Sequence, residues 1–166
     1  LNEASKILKL HVSNEDQMRE LAYSLAPHLP QRGALLIKGP LGAGKTCFCR
    51  HLIQAKQVLE INHYEDVPSP TFTLIQTYQF DNSEIWHCDL YRINKIGELS
   101  ELGLEEGFEN ALCLVEWPEK LDDEKINGLA NIQIITNSNT EERELIFHSL
   151  STRWKKFSNV FESIKF

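Results

Sequence analysis

Gly39-Pro40-Leu41-Gly42-Ala43-Gly44-Lys45-Thr46 fits the pattern G-x-x-x-x-G-K-[ST]. Glycines there let the backbone take positive φ and bring several N–H groups toward one point. The segment from Gly39 through Leu41, Gly42, Ala43, Gly44, Lys45, Thr46 and Cys47 runs into a helix N-terminus. Together these amides form an anion site suited to the phosphates of ATP or ADP. Lys45 supplies a mobile positive charge for the β- and γ-phosphates, and the Thr46 hydroxyl can ligate Mg²⁺. A chance match in a chain of this composition is on the order of one in a hundred. The plainer alternative is a glycine turn capping an ordinary helix. A Mg²⁺–nucleotide site also needs an acidic partner, and Asp89 and Glu116 each end a strand-like run. In open α/β sheets, ligands gather at the carboxyl ends of strands. A salt bridge or turn cap is the other reading of each. Trp117, after Glu116, makes an aromatic wall or a partly buried core residue. Ser69 and Thr71 flank Pro70 in a loop that either senses the γ-phosphate as a switch or is a proline turn entering a strand.

Positioning these residues takes alternating strands and helices. Ala34 to Ile37 is a continuous apolar run, which reads as a strand buried on both faces. Lys45 to about Val58 reads as the following helix. Residues 71–80 and 84–90, separated by the turn signal Asp81-Asn82-Ser83, read as a β-hairpin. Lys95 to Asn110 reads as one or two short helices broken at Gly103 and Gly107, and Ala111 to Val115 as a second buried strand. Ile132–Ile135 and Glu144–Phe147 read as a later hairpin. Ser13 reads as the N-cap of an early helix carrying Met18, Leu21, Ala22, Leu25 and Leu29. Trp154, Phe157, Phe161 and Ile164 form one face of a closing helix, most simply core packing. The pattern predicts a three-layer α/β domain of the P-loop NTPase-like kind. Its central sheet is mixed and mostly parallel, in one domain over residues 1–166.

Composition agrees. With 166 residues, about 70% of the chain's surface can be buried without disulfides or a structural metal. Hydrophobic residues at 42% and charged residues at 25% are a globular balance. The net charge of −7 argues against autonomous, phosphate-driven binding to DNA or RNA. No apolar run approaches the roughly 20 residues that span a bilayer. The start, Leu1-Asn2-Glu3-Ala4, lacks the basic and apolar regions of a signal peptide. Cys47, Cys49, Cys88 and Cys113 form no Cys-x-x-Cys pair and read as reduced thiols of a cytoplasmic protein. Cys47 and Cys49, two apart on a helix, face different directions and should not chelate one metal.

Five segments in order resemble one family. They are Gly39 to Thr46, Val67-Pro-Ser-Pro-Thr-Phe-Thr-Leu74, His87-Cys-Asp-Leu-Tyr-Arg92, Glu98-Leu-Ser-Glu-Leu-Gly-Leu-Glu105 and Val115-Glu-Trp-Pro-Glu119. Together they look like the TsaE (YjeE) family, small bacterial P-loop ATPases of tRNA threonylcarbamoyladenosine synthesis. The resemblance implies that Lys45 and Thr46 hold phosphate and Mg²⁺ and that Ser69 and Thr71 belong to a switch-like loop. It makes Asp89 and Glu116 the metal-side acids needed for hydrolysis and sets Trp117 beside the nucleotide. It implies action with TsaD and TsaB, which transfer threonylcarbamoyl to a tRNA adenosine, so tRNA is met through the complex. The chain departs from the family at Pro40, where Asp is common, and at Cys47, where a second Thr is usual. Two other classes fit a P-loop. One is a small nucleotide or metabolite kinase, disfavoured because Arg92 is the only arginine between the P-loop helix and Glu116. The other is a non-catalytic nucleotide-binding module.

Overall fold

The computed structural model describes residues 6–166, so the Leu1–Ala4 start lies outside the described residues. Among the described residues, seven strands form one mixed sheet. They are β1 (Leu8–Val12), β2 (Gly33–Lys38), β3 (Ile75–Gln79), β4 (Glu84–Asp89), β5 (Leu112–Glu116), β6 (Leu129–Thr136) and β7 (Arg143–Ser149). Their order across the sheet is β1-β7-β6-β2-β5-β4-β3. The centre is parallel, with β2 between β6 and β5, and β5 beside β4. Both edges are antiparallel: the expected β3–β4 and β6–β7 hairpins, and β1 on β7.

Five α-helices of the described residues cover the faces: α1 (Glu15–Leu25), α2 (Lys45–Ile61), α3 (Ile96–Glu101), α4 (Leu104–Asn110) and α5 (Lys155–Ser163). The strand alternation of period 2 divides the core in two. Leu35 and Ile37 of β2 pack with Leu114 of β5, Leu21 of α1, Phe48 and Leu52 of α2, and Phe157 and Phe161 of α5. Ala34 and Leu36 point the other way, to Cys113, Val115 and the α4 residues Leu104 and Phe108. The result is three layers, α/β/α, around a buried β2.

Local chemistry sets the element ends and corrects some expected boundaries. The cap of α1 is Asn14, whose side chain accepts from the Gln17 amide at 3.0 Å. Ser13 instead donates its amide to Gln17 Oε1. The cap is thus shifted one residue along from Ser13, and the Gln17 side chain reaches back to the residue before that cap. Helix α2 runs one turn past Val58 and stops at Asn62, in the left-handed conformation that ends helices. Strand β3 starts at Ile75, not Thr71, because residues 70–74 form a turn closed by the Leu74 amide on Pro70 O at 2.7 Å. The break between α3 and α4 falls at Gly103, while Gly107 lies inside α4. The closing helix begins after a short 3₁₀ turn, Thr152–Trp154.

The start of β2 is a tight backbone crossing. Gly33 has φ of 120°, and a Cβ there would meet the Gly128 carbonyl oxygen at 2.5 Å. The same oxygen accepts the Ala34 amide at 3.3 Å. A Gly33→Ala variant combines left-handed strain with that clash. It should lose about 1–3 kcal/mol of stability, or about 2–12 °C of thermal midpoint for a domain of this size. Thermal unfolding by circular dichroism checks this; an unchanged midpoint contradicts the packing.

Candidate functional site

The strand β2 ends at Lys38 and α2 begins at Lys45, so the glycine loop joins the carboxyl end of a central strand to a 17-residue helix. Gly44 is the N-cap of α2 with φ of 101°, a conformation that favours glycine. The first turn of α2 leaves its amides without intrahelical partners, with the positive end of the helix dipole behind them. The loop is held from two sides. Ala43 donates its amide to Pro40 O at 3.1 Å, and Arg143 of β7 donates from Nε to Ala43 O at 3.1 Å. Leu41 and Gly42 are exposed at its tip.

Lys45 lies folded under its own loop. Its Nζ donates to Gly39 O and Pro40 O, each at 2.8 Å, and sits 3.8 Å from the Trp117 ring centroid. Burial lowers its pKa, opposed by the charges of Glu116, Glu119 and Asp89. Trp117 takes φ of 55°, a conformation costing about 1–2 kcal/mol for a residue with a Cβ. That bend follows β5 directly and brings the indole over Lys45; Tyr91 packs on it at 4.8 Å between ring centroids.

The two carboxylates stand side by side. Asp89 and Glu116 are direct register partners on parallel β4 and β5. They are 3% and 2% exposed. Glu116 accepts from Thr46 Oγ1 at 2.8 Å through Oε2 and from His87 Nε2 at 2.7 Å through Oε1. Asp89 accepts from Thr71 Oγ1 at 2.8 Å and from the Tyr91 amide at 2.9 Å. Ser69 Oγ in turn donates to Thr71 Oγ1 at 2.8 Å. The structure thus brings Lys45, Thr46, Ser69, Thr71, Asp89, Glu116 and Trp117 to one place at the carboxyl ends of β2, β4 and β5. One hydroxyl and two carboxylates make an all-oxygen donor set, which suits a hard cation such as Mg²⁺. Two nearly buried anions facing one ammonium leave a local negative excess that such a cation would neutralise.

Cys47 stands apart. Its side chain turns from this cluster toward Glu15 and His51. Burial, then Glu15, pushes its thiol up to about 11.

Sequence reasoning missed two supports. His87 reads as a plain strand residue, yet it is fully buried and fixes one oxygen of Glu116. Its spacing of two from Asp89 on β4, which puts both on one face, was the available signal. The hydrogen bond from Arg143 to the loop spans 100 positions along the chain and left no local sign.

Fold and site together define an α/β protein of the P-loop NTPase-like class. The family model described as "Threonylcarbamoyl adenosine biosynthesis protein TsaE" matches residues 12–145. A tRNA threonylcarbamoyladenosine biosynthesis protein TsaE of Rickettsia conorii is 37% identical over 149 residues, 81% of this chain and 83% of that one. Its namesake in Rickettsia felis is 44% identical over 110 residues, 66% of this chain but 62% of that protein's length. The crystal structure of YdiB from Bacillus subtilis superposes with a TM-score of 0.73 at 25% identity, covering 96% of each chain. The chain belongs to the TsaE family of tRNA threonylcarbamoyladenosine biosynthesis. Among the described residues, no helix is long and apolar enough to cross a membrane.

Proposed function

We propose that this chain binds ATP and ADP with Mg²⁺ at the glycine loop and hydrolyses ATP as an accessory subunit of the tRNA-modifying machinery. It acts in the cytoplasm with TsaD and TsaB-like proteins and meets tRNA through them. The observation that carries this reading is the convergence of Lys45, Thr46, Asp89 and Glu116 on one buried corner beside a helix N-terminus. Lys45 exchanges its two carbonyl acceptors for phosphate oxygens. The loop amides hold the phosphate chain, and Trp117 closes one side. Mg²⁺, when bound, supplies charge neutralisation of the phosphates and a template for in-line attack. Thr46, Asp89 and Glu116 would hold it, directly or through water. His87 fixes the orientation of Glu116, and Ser69 and Thr71 that of Asp89, so the γ-phosphate can bias the Ser69–Thr71 loop.

A kinase reading gains no support at the site. Arg92 is exposed and lies over the Phe72 ring, 5.0 Å from its centroid. The binding-module reading is separated from the enzyme by hydrolysis alone.

Lys45→Ala tests the loop. It removes a charge-assisted contact of about 1.5–3 kcal/mol, so affinity for ATP and ADP should fall at least roughly tenfold. Calorimetric titration measures it; unchanged affinity contradicts the assignment.

A further inference from the structure

Behind the glycine loop, α2 turns a second set of donor groups toward α1. Cys47 and His51 stand one turn apart on α2, so they share a face. Glu15, the first residue of α1, lies opposite. A carboxylate oxygen, the Cys47 Sγ and a His51 ring nitrogen all fall within 4.8 Å of one another. His51 is 7% exposed. Neither of its ring nitrogens has a hydrogen-bond partner among the described residues. The Glu15 Oε1 atom stands 3.6 Å from Nε2, within ion-pair range of a protonated ring but beyond a well-formed hydrogen bond. Buried polar groups are normally satisfied, so an imidazole held this way toward a thiol and a carboxylate calls for a ligand. The nucleotide chemistry gives the His51 side chain no task.

We infer that Glu15, Cys47 and His51 form a three-ligand site for a divalent transition-metal ion of the zinc class, distinct from the Mg²⁺ site. Thiolate, imidazole and carboxylate are the donors that zinc takes, with a water completing the tetrahedron. Bonds of about 2.0–2.3 Å place tetrahedral donors about 3.3–3.7 Å apart. The Glu15 side chain is exposed and long, so it is free to bring its carboxylate closer to Cys47 and His51. As the sulfur–metal bond forms, the thiol proton leaves to solvent. Magnesium prefers six oxygen ligands and does not compete well for such a set. A cation here ties the first turn of α1 to the first turn of α2, one residue beyond Thr46. The donor atoms of a second triple, Cys49, His87 and Glu116, also lie within 4.8 Å of one another. There His87 and Glu116 already bond to each other and Glu116 to Thr46, so it belongs to the site described above.

The test uses the whole chain saturated with Mg²⁺–ADP. Cobalt(II) serves as the spectroscopic probe, and zinc affinity is measured by competition with a chromophoric chelator. The expected result is one equivalent of cobalt with a thiolate-to-cobalt charge-transfer band. Cys47→Ser should abolish that band and Cys49→Ser should retain it. His51→Gln and Glu15→Gln should each weaken zinc binding at least roughly tenfold, no less than the loss of a supporting residue around a metal. Glu15 is exposed, so its variant tests the site without disturbing the core. No band at millimolar cobalt overturns the inference. So does a band that survives Cys47→Ser but not Cys49→Ser, or zinc affinity unchanged in Glu15→Gln. None of these outcomes depends on nucleotide hydrolysis, so the site stands or falls apart from the ATPase reading.

Discussion

Asp89→Asn and Glu116→Gln should each cut ATP hydrolysis by about 10²-fold or more, a rise of about 2.7 kcal/mol in the barrier. Both substitutions keep shape and remove charge. Asn at position 89 keeps its one oxygen for the Tyr91 amide, and its amide nitrogen can donate to Thr71 Oγ1 where the carboxylate accepted from it. Gln at position 116 still offers an oxygen to Thr46. What is lost is the anionic pair that would hold the metal and order the attacking water. Phosphoryl transfer depends mostly on positioning and electrostatic stabilisation, so that loss falls on the chemical step. Metal-free nucleotide binding should barely change, because removing negative charge near phosphates cannot weaken it electrostatically. Single-turnover hydrolysis with TsaB–TsaD present, alongside equilibrium titration of metal-free ADP, separates the two effects. Wild-type turnover in both variants would show that the carboxylates serve only the fold.

Trp154→Ala should have the largest effect on stability. The indole is fully buried, packed edge-on against Phe157 at 5.2 Å between ring centroids and tilted on Phe147 at 6.3 Å. Its Nε1 donates to Gly128 O at 2.8 Å, the carbonyl that also receives Ala34 at the start of β2. Truncating a buried Trp costs about 3–5 kcal/mol. For a domain of this size that lowers the thermal midpoint by about 6–20 °C. The consequence reaches function, because β2 carries the glycine loop and its entry is fixed by this carbonyl. Thermal unfolding followed by near-ultraviolet circular dichroism reads the effect. A shift under about 2 °C would mean that the aromatic face of the closing helix is not core.

Much of this was legible in sequence because the signals were local. The apolar runs before Lys45 and Glu116 read as buried strands, and they pair in parallel register, Ala34 with Cys113 through Ile37 with Glu116. The aromatic spacing of the closing helix gave its buried face. Strand β1 was missed: Leu8, Leu10 and Val12 alternate inward, but five residues give a weak signal, and the pairing partner β7 lies over 130 positions away. At the site, the loop, the two acids and Trp117 were read from motif and strand-end position. The folding of Lys45 back onto Gly39 and Pro40, the hold of His87 on Glu116 and the turn of Cys47 toward α1 arise from tertiary packing. Of these, only the position of His87 two residues before Asp89 on β4 left a local sign in the chain.

The most direct test of the central claim is ATP hydrolysis, measured together with threonylcarbamoyladenosine formation on tRNA, in mixtures of TsaB and TsaD with and without this chain. Adding the chain should bring ATP turnover and sustained tRNA modification, and Lys45→Ala should bring neither. A wild-type chain that binds ATP in that mixture yet hydrolyses none and leaves tRNA modification unchanged would contradict it, and the nucleotide would then be a structural ligand.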